Sequence, residues 1–196
     1  MIKNILNNPL VYHLSQKFFL ADNFRKKILK KLINRKNIDL LDIGCGPGNM
    51  ITYLSFNKYY GFDTDKKYIE FAKKKYPDCY FFCEKFTKSS LKKISKVDIV
   101  ILFGVLHHIS NNEILDLIKN LKLALKKNSQ IIILDPVYVK NQNKIAKFLI
   151  DNDRGDFVRT TKGYLDLFKK SRTAFTYKIY NQKIIPYTNI VTILQN

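Results

Sequence analysis

The 196-residue sequence has no apolar run of about 18 residues or more, so a membrane-spanning helix is not expected. Its opening stretch, MIKNILNNPLVYHLSQKFF, lacks both the continuous apolar segment and the small-residue cleavage site of a secretory signal. A soluble, cytoplasmic protein with no integral membrane association is the expectation. Cysteine is scarce. Cys45, Cys79 and Cys83 are odd in number, form no CxxC pair, and lie away from histidine at zinc-ligand spacing. Reduced thiols and no metal site follow from that. Internal repeats are missing, as are Gly/Ser/Pro-rich linkers, and a chain this long with 46% hydrophobic residues can bury one core of its own. The reading is a single domain, 1–196.

Acidic residues are also few, 16 against 35 basic ones, for a formal charge of +19. Such an excess raises the question of nucleic acid or an anionic surface as a partner. The lysines are spread along the whole chain beside Asn and Ile, however, and runs such as FRKKILKKLINRK place them on solvated helix faces. Nucleic acid is therefore a partner that is open but not favoured.

What is present is an alternation of apolar strands and amphipathic helices. Helical spacing runs over 22–36, 48–56, 65–76 (ended by Pro77), 111–126 and 160–170, with a further short helix before residue 153. Strand patterns occupy 38–43, 58–62, 79–83, 97–103 and 130–135. Strands separated by helices imply βαβ units with right-handed crossovers, hence a doubly wound, mostly parallel sheet with helices on both faces. The last two β-rich runs, 173–180 and 187–194, are only a few residues apart, which favours an antiparallel hairpin. The expected fold is thus a Rossmann-like α/β domain of seven strands with an antiparallel last strand.

The first strand, LLDI, runs directly into Gly44-Cys45-Gly46-Pro47-Gly48-Asn49. Ligands of open α/β sheets bind at this carboxyl end, where glycines let the backbone take positive φ and approach a ligand closely. Asn49 stands where the dinucleotide fingerprint needs Gly or Ala, so a nicotinamide or flavin cofactor loses ground to a nucleoside ligand without a pyrophosphate.

The stretch LLDIGCGPGNM resembles the first motif of class I S-adenosylmethionine-dependent methyltransferases, an apolar strand, an acid, then GxGxG. GFDTD at 61–65 is similar to that family's second-strand end, and VDIVILFGVLHHI at 97–109 to its fourth strand. Two matches are looser: Cys83-Glu84 stands for a Gly-Asp pair, and Asn128-Ser129 for a Gly-Gly turn. The resemblance implies S-adenosylmethionine as cofactor and S-adenosylhomocysteine as product. It implies cofactor contacts from Asp42, Gly44, Cys45, Gly46, Gly48, Asp63, Thr64, Glu84, Phe103 and Gly104, with Asp63 on the ribose and Glu84 on the adenine amino group. As alternatives, Asp42 orients the loop, Asp63 caps a helix that Asp65 caps equally well, and Phe103 is core.

Methyl transfer from a sulfonium is an in-line displacement that needs a base only if the acceptor atom loses a proton. His107 and His108, just past the fourth strand, are the catalytic candidates. The segment DRGDFVR at 153–159 resembles a DRG-x-aromatic-x-Arg stretch of some of these enzymes, and with NNPLVYHLSQ it nominates Tyr12, Gln16, Arg154 and Arg159 for the acceptor, the arginines for an acidic or polar group. The structural alternative is an Arg–Asp pair, Arg154 with Asp153 or Asp156, that pins the connection before the next strand. Residues 1–21 are expected to be a helical segment covering the site, with 22–196 as the core. The reaction expected is methyl transfer to a small molecule in cell-surface sugar, lipid or quinone metabolism. An RNA methyltransferase is the runner-up and a non-catalytic cofactor-binding protein the third reading; the oligomeric state is open.

Overall fold

The computed structural model describes residues 21–153, 155–182 and 186–195. The chain divides into two compact units, one ending at Lys85 and the other starting at Phe86.

In the first unit, helix α1 (Ala21–Leu32) buries Ile28 and Leu29, the apolar positions of FRKKILKK, and leaves its lysines on the solvent side. Strand β1 (Ile38–Ile43) pairs in parallel with β2 (Phe56–Asp63), and β2 in parallel with β3 (Tyr80–Cys83). Between β1 and β2 the expected helix over 48–56 shrinks to one 3-10 turn, Asn49–Tyr53. Gly48 before it takes a left-handed φ of 81° and Leu54 after it is already extended, so no room is left for a second α-helical turn. Helix α2 (Lys66–Lys75) follows β2. Asp65 caps it by accepting from the Lys67 and Tyr68 backbone N–H groups, and it stops two residues before Pro77.

In the second unit, β4 (Val97–Phe103) is buried along almost all its length, as a continuous apolar strand of a parallel sheet should be. Helix α3 (Asn111–Ala124) starts with a capping box, Ser110 and Glu113 each bonding the other's backbone N–H, and buries Ile114, Leu117, Ile118 and Leu121. Strand β5 (Leu125–Tyr138) begins at once. It is longer than the 130–135 expected because the turn after α3 is built into the strand: Asn128 takes φ 60° where the family resemblance would put glycine. Helix α4 (Lys144–Asp151), the two-residue strand β6 (Arg159–Thr160), helix α5 (Thr161–Lys170), β7 (Phe175–Gln182) and β8 (Tyr187–Gln195) complete the chain. β5 pairs in parallel with β4 and β6 and antiparallel with β8, which in turn pairs antiparallel with β7, so the hairpin expected at the end is present.

The class is Rossmann-like α/β, mostly parallel with antiparallel C-terminal strands and helices around the sheet. The strands number eight among the described residues, against seven expected, the extra one being β6. No helix among the described residues is long and apolar enough to cross a membrane.

Candidate functional site

The first unit carries the glycine loop. At Gly44, Gly46 and Gly48 φ is 68°, 53° and 81°, so all three occupy the left-handed region that side chains disfavour. At Gly48 a Cβ would in addition stand 2.9 Å from the Tyr76 ring. The loop is tied to β2 by backbone bonds, the Gly44 and Cys45 N–H groups both donating to the Phe62 carbonyl at 2.8 and 3.1 Å. Gly61 on β2 permits this closeness, since a Cβ there would lie 2.9 Å from Cys45 Sγ.

Asp63, at the carboxyl end of β2, holds the loop from the other side. Its Oδ2 accepts from the Gly46 N–H at 2.8 Å and its Oδ1 from the Asp65 N–H at 2.9 Å. Burial, the largest influence, raises its pKa from the ordinary carboxylate value, and these two bonds oppose the rise. Each carboxylate oxygen has a second lone pair, so the group can still accept from a pair of hydroxyls.

Asp42, 1% exposed near the end of β1, accepts from the Tyr59 hydroxyl at 2.6 Å. Burial pushes its carboxyl from 3.8 up to about 7; the Tyr59 bond opposes this, the charge of Asp63 adds to it, and Arg25 opposes it. Tyr59 was invisible as a partner in the sequence, 17 residues away, although the parallel pairing of β1 and β2 is what brings it alongside. Beside Gly48, the buried Tyr76 hydroxyl has no hydrogen-bond partner among the described residues. Thr64 is exposed, its carbonyl 3.8 Å from the Cys83 thiol, and Glu84 is half-buried just past β3.

The second unit holds the histidines. His107 is 4% exposed and its Nδ1 lies 2.6 Å from Asp135 Oδ1. The carboxylate accepts, which places the proton on Nδ1. The fully buried Asp135 also accepts from the backbone N–H groups of His107 and Leu106, at 3.1 and 3.2 Å. On the other side of the ring, Nε2 is 3.8 Å from Asp153 Oδ1, while Asp153 Oδ2 accepts from the Tyr187 hydroxyl at 2.6 Å. His108 is exposed, with its ring centroid 4.0 Å from that of His107. The two rings thus lie against each other, one buried and the other exposed. Phe103 is buried at the end of β4, and Gly104 after it has φ 73° and donates to the Leu134 carbonyl at 2.7 Å.

Arg159 is extensively hydrogen-bonded within the second unit. Its Nε donates to Asn111 Oδ1, Nη1 to the Leu106 and Phe157 carbonyls and Nη2 to the Ile109 carbonyl, all within 2.8 Å. Four of the five N–H donors of a guanidinium are thereby engaged, three along the β4–α3 connection and one by Phe157 in its own segment. Tyr12, Gln16 and Arg154 lie outside the described residues. Among the described residues no three His, Cys, Asp or Glu side chains are grouped so as to hold a metal.

A strand running into three left-handed glycines, with an acid near the end of each of the first two strands, is a Rossmann-like arrangement. Residues 41–133 match the family model described as a methyltransferase domain. Protein 235L of Invertebrate iridescent virus 6, provisionally named a methyltransferase, is 28% identical over 142 residues, 65% of this chain; the chain spans about half (48%) of that protein's length. Among solved structures, a SAM-dependent methyltransferase from Archaeoglobus fulgidus superposes with a TM-score of 0.68 at 14% identity, covering 94% of this chain and 99% of that one. The magnesium protoporphyrin IX methyltransferase of Synechocystis, solved with bound SAM, gives 0.61 at 16% identity, covering 91% and 80%. Residues 41–133 are thus similar to a methyltransferase domain, and the fold is that of solved SAM-dependent methyltransferases.

Proposed function

We propose that this protein transfers a methyl group from S-adenosylmethionine to a small-molecule acceptor and releases S-adenosylhomocysteine. The observation that carries the reading is the Asp63 carboxylate, fixed at the end of β2 by the Gly46 N–H and still able to accept from a ribose diol. The glycine loop, lacking the third small residue of a dinucleotide site, suits a nucleoside without a pyrophosphate. The cofactor, when bound, supplies a sulfonium-activated methyl group.

The chain's own part is to bind and to hold. Asp63 takes the ribose and Glu84 the adenine amino group. Asp42, through Tyr59, keeps the strand end below the loop in place. Of the histidines, exposed His108 is the one that meets an acceptor, and His107 is a positioning residue, locked by Asp135 in one tautomer. Arg159 is a clamp for the β4–α3 connection and not an acceptor ligand.

The acceptor is small, as magnesium protoporphyrin IX is for the Synechocystis protein by its name. Sugar, lipid and quinone metabolism are the settings to search, and cytoplasm the expected location. The test is incubation with methyl-labelled cofactor and separated metabolite, protein and RNA fractions. Label in a small molecule is expected; label in RNA alone would move the reading to the nucleic-acid alternative.

A further inference from the structure

Helix α4 has one face it cannot bury. Ala146 and Ile150, each 1% exposed, pack inward, and α4 lies against β5 and β8. Ile145 and Phe148, three residues apart and so on one face, are 57% and 64% exposed. No other large hydrophobic side chain described is as exposed as Phe148. Exposed Lys140, Lys144 and Lys147 are close to these two in sequence, and no acid occurs between Val137 and Ile150. The first acid, Asp151, is held by Lys147 at 2.7 Å and by the Tyr138 hydroxyl, also at 2.7 Å.

We propose that α4 is the surface by which this protein docks on an anionic lipid bilayer. Ile145 and Phe148 enter the boundary between headgroups and acyl chains, and Lys140, Lys144 and Lys147 meet the anionic headgroups. The patch decides against other occupants. Two protruding side chains are far short of the roughly 800 Å² that each partner of a stable protein complex buries. Nucleic acid would use the lysines but gains nothing from Ile145. A net charge of +19 adds long-range attraction to an anionic surface without fixing where contact occurs; the apolar pair fixes it. Binding through two side chains and three lysines is reversible and falls as salt rises. This inference does not depend on which acceptor, if any, the protein methylates.

The test is co-sedimentation of the full chain with phosphatidylcholine vesicles and with vesicles of phosphatidylcholine and phosphatidylglycerol at about 0.1 M salt, a condition in which surface charges are screened beyond about 10 Å. Binding to the anionic vesicles only is expected. Ile145→Ser and Phe148→Ser should each lower the bound fraction several-fold, roughly the effect of withdrawing one apolar side chain from the interface. Tyr177→Ser, which removes an exposed aromatic on β7, should change nothing. All three substitutions are at exposed positions, so matching thermal melts are expected and would exclude misfolding. Absence of binding to anionic vesicles overturns the proposal. So does binding that the Ile145→Ser, Phe148→Ser double variant retains in full, which would assign it to diffuse lysines. Tight RNA binding lost in the same double variant would give the face to nucleic acid and overturn it equally.

Discussion

Replacing Asp42 with asparagine should change how the stability of this protein depends on pH. The folded chain holds the Asp42 proton more tightly than the unfolded chain does, because burial raises the carboxyl from 3.8 to about 7. The contribution of this group is therefore fully present below about pH 4 and is lost as pH rises through about 7. At 1.36 kcal/mol per pH unit, a rise from 3.8 to about 7 amounts to about 4 kcal/mol. Asparagine keeps the shape and an acceptor for the Tyr59 hydroxyl but does not titrate. Any cost of its amide nitrogen is the same at every pH and cancels from the comparison. Urea unfolding of both proteins from pH 4 to pH 8 measures the difference. The variant should gain about 4 kcal/mol on the wild type across that range, other carboxylates being common to both. If the difference stays within about 1 kcal/mol, less than one pH unit's worth, Asp42 is an ordinary carboxylate and the argument from burial fails.

Arg159→Lys should lower the melting temperature, because an ammonium cannot reach four oxygens arranged around a planar fork; at about 1 kcal/mol net per lost bond, two or three lost bonds cost about 2–3 kcal/mol. An unchanged melting temperature with reduced catalytic efficiency would return Arg159 to the acceptor. Gly155→Ala should destabilise by about 1–3 kcal/mol through overpacking, since its Cβ would collide with the His107 ring and lie 2.6 Å from the His107 carbonyl; a thermal melt equal to wild type would show that the ring has room to move.

Much of the fold was legible because its signals are local. Apolar runs such as VDIVILF, the Asp65 cap and the glycine loop each depend on a few neighbouring residues, and β4, α2 and α3 lie close to where the sequence patterns put them. The helix expected over 48–56 failed because Met50 and Ile51, buried in a single 3-10 turn, give the same apolar spacing as a longer helix would. The extra length of β5 was hidden by Asn128, a non-glycine residue accepting left-handed φ.

At the site, residue types at strand ends could be read, but not how their hydrogen bonds are shared out. Asp135 ends an apolar stretch as Asp42 and Asp63 do, which was a usable signal. Its claim on His107 spans 28 residues and needed the parallel register of β4 and β5 to appear. Arg159 was expected at the acceptor because arginine is rare beside lysine in this chain. The carbonyls it holds belong to backbone, which carries no mark in the sequence.

Titration calorimetry of the wild type and Asp63→Ala with S-adenosylmethionine and S-adenosylhomocysteine tests the central claim most directly. One equivalent of either nucleoside should bind the wild type, and the variant should bind both more weakly by roughly 1.5–3 kcal/mol, the worth of a charge-assisted acceptor. The same variant also loses the Gly46 tether, which acts in the same direction. Equal affinity in the two proteins would remove Asp63 from the site, and no heat from the wild type with either nucleoside would contradict the assignment of the cofactor itself.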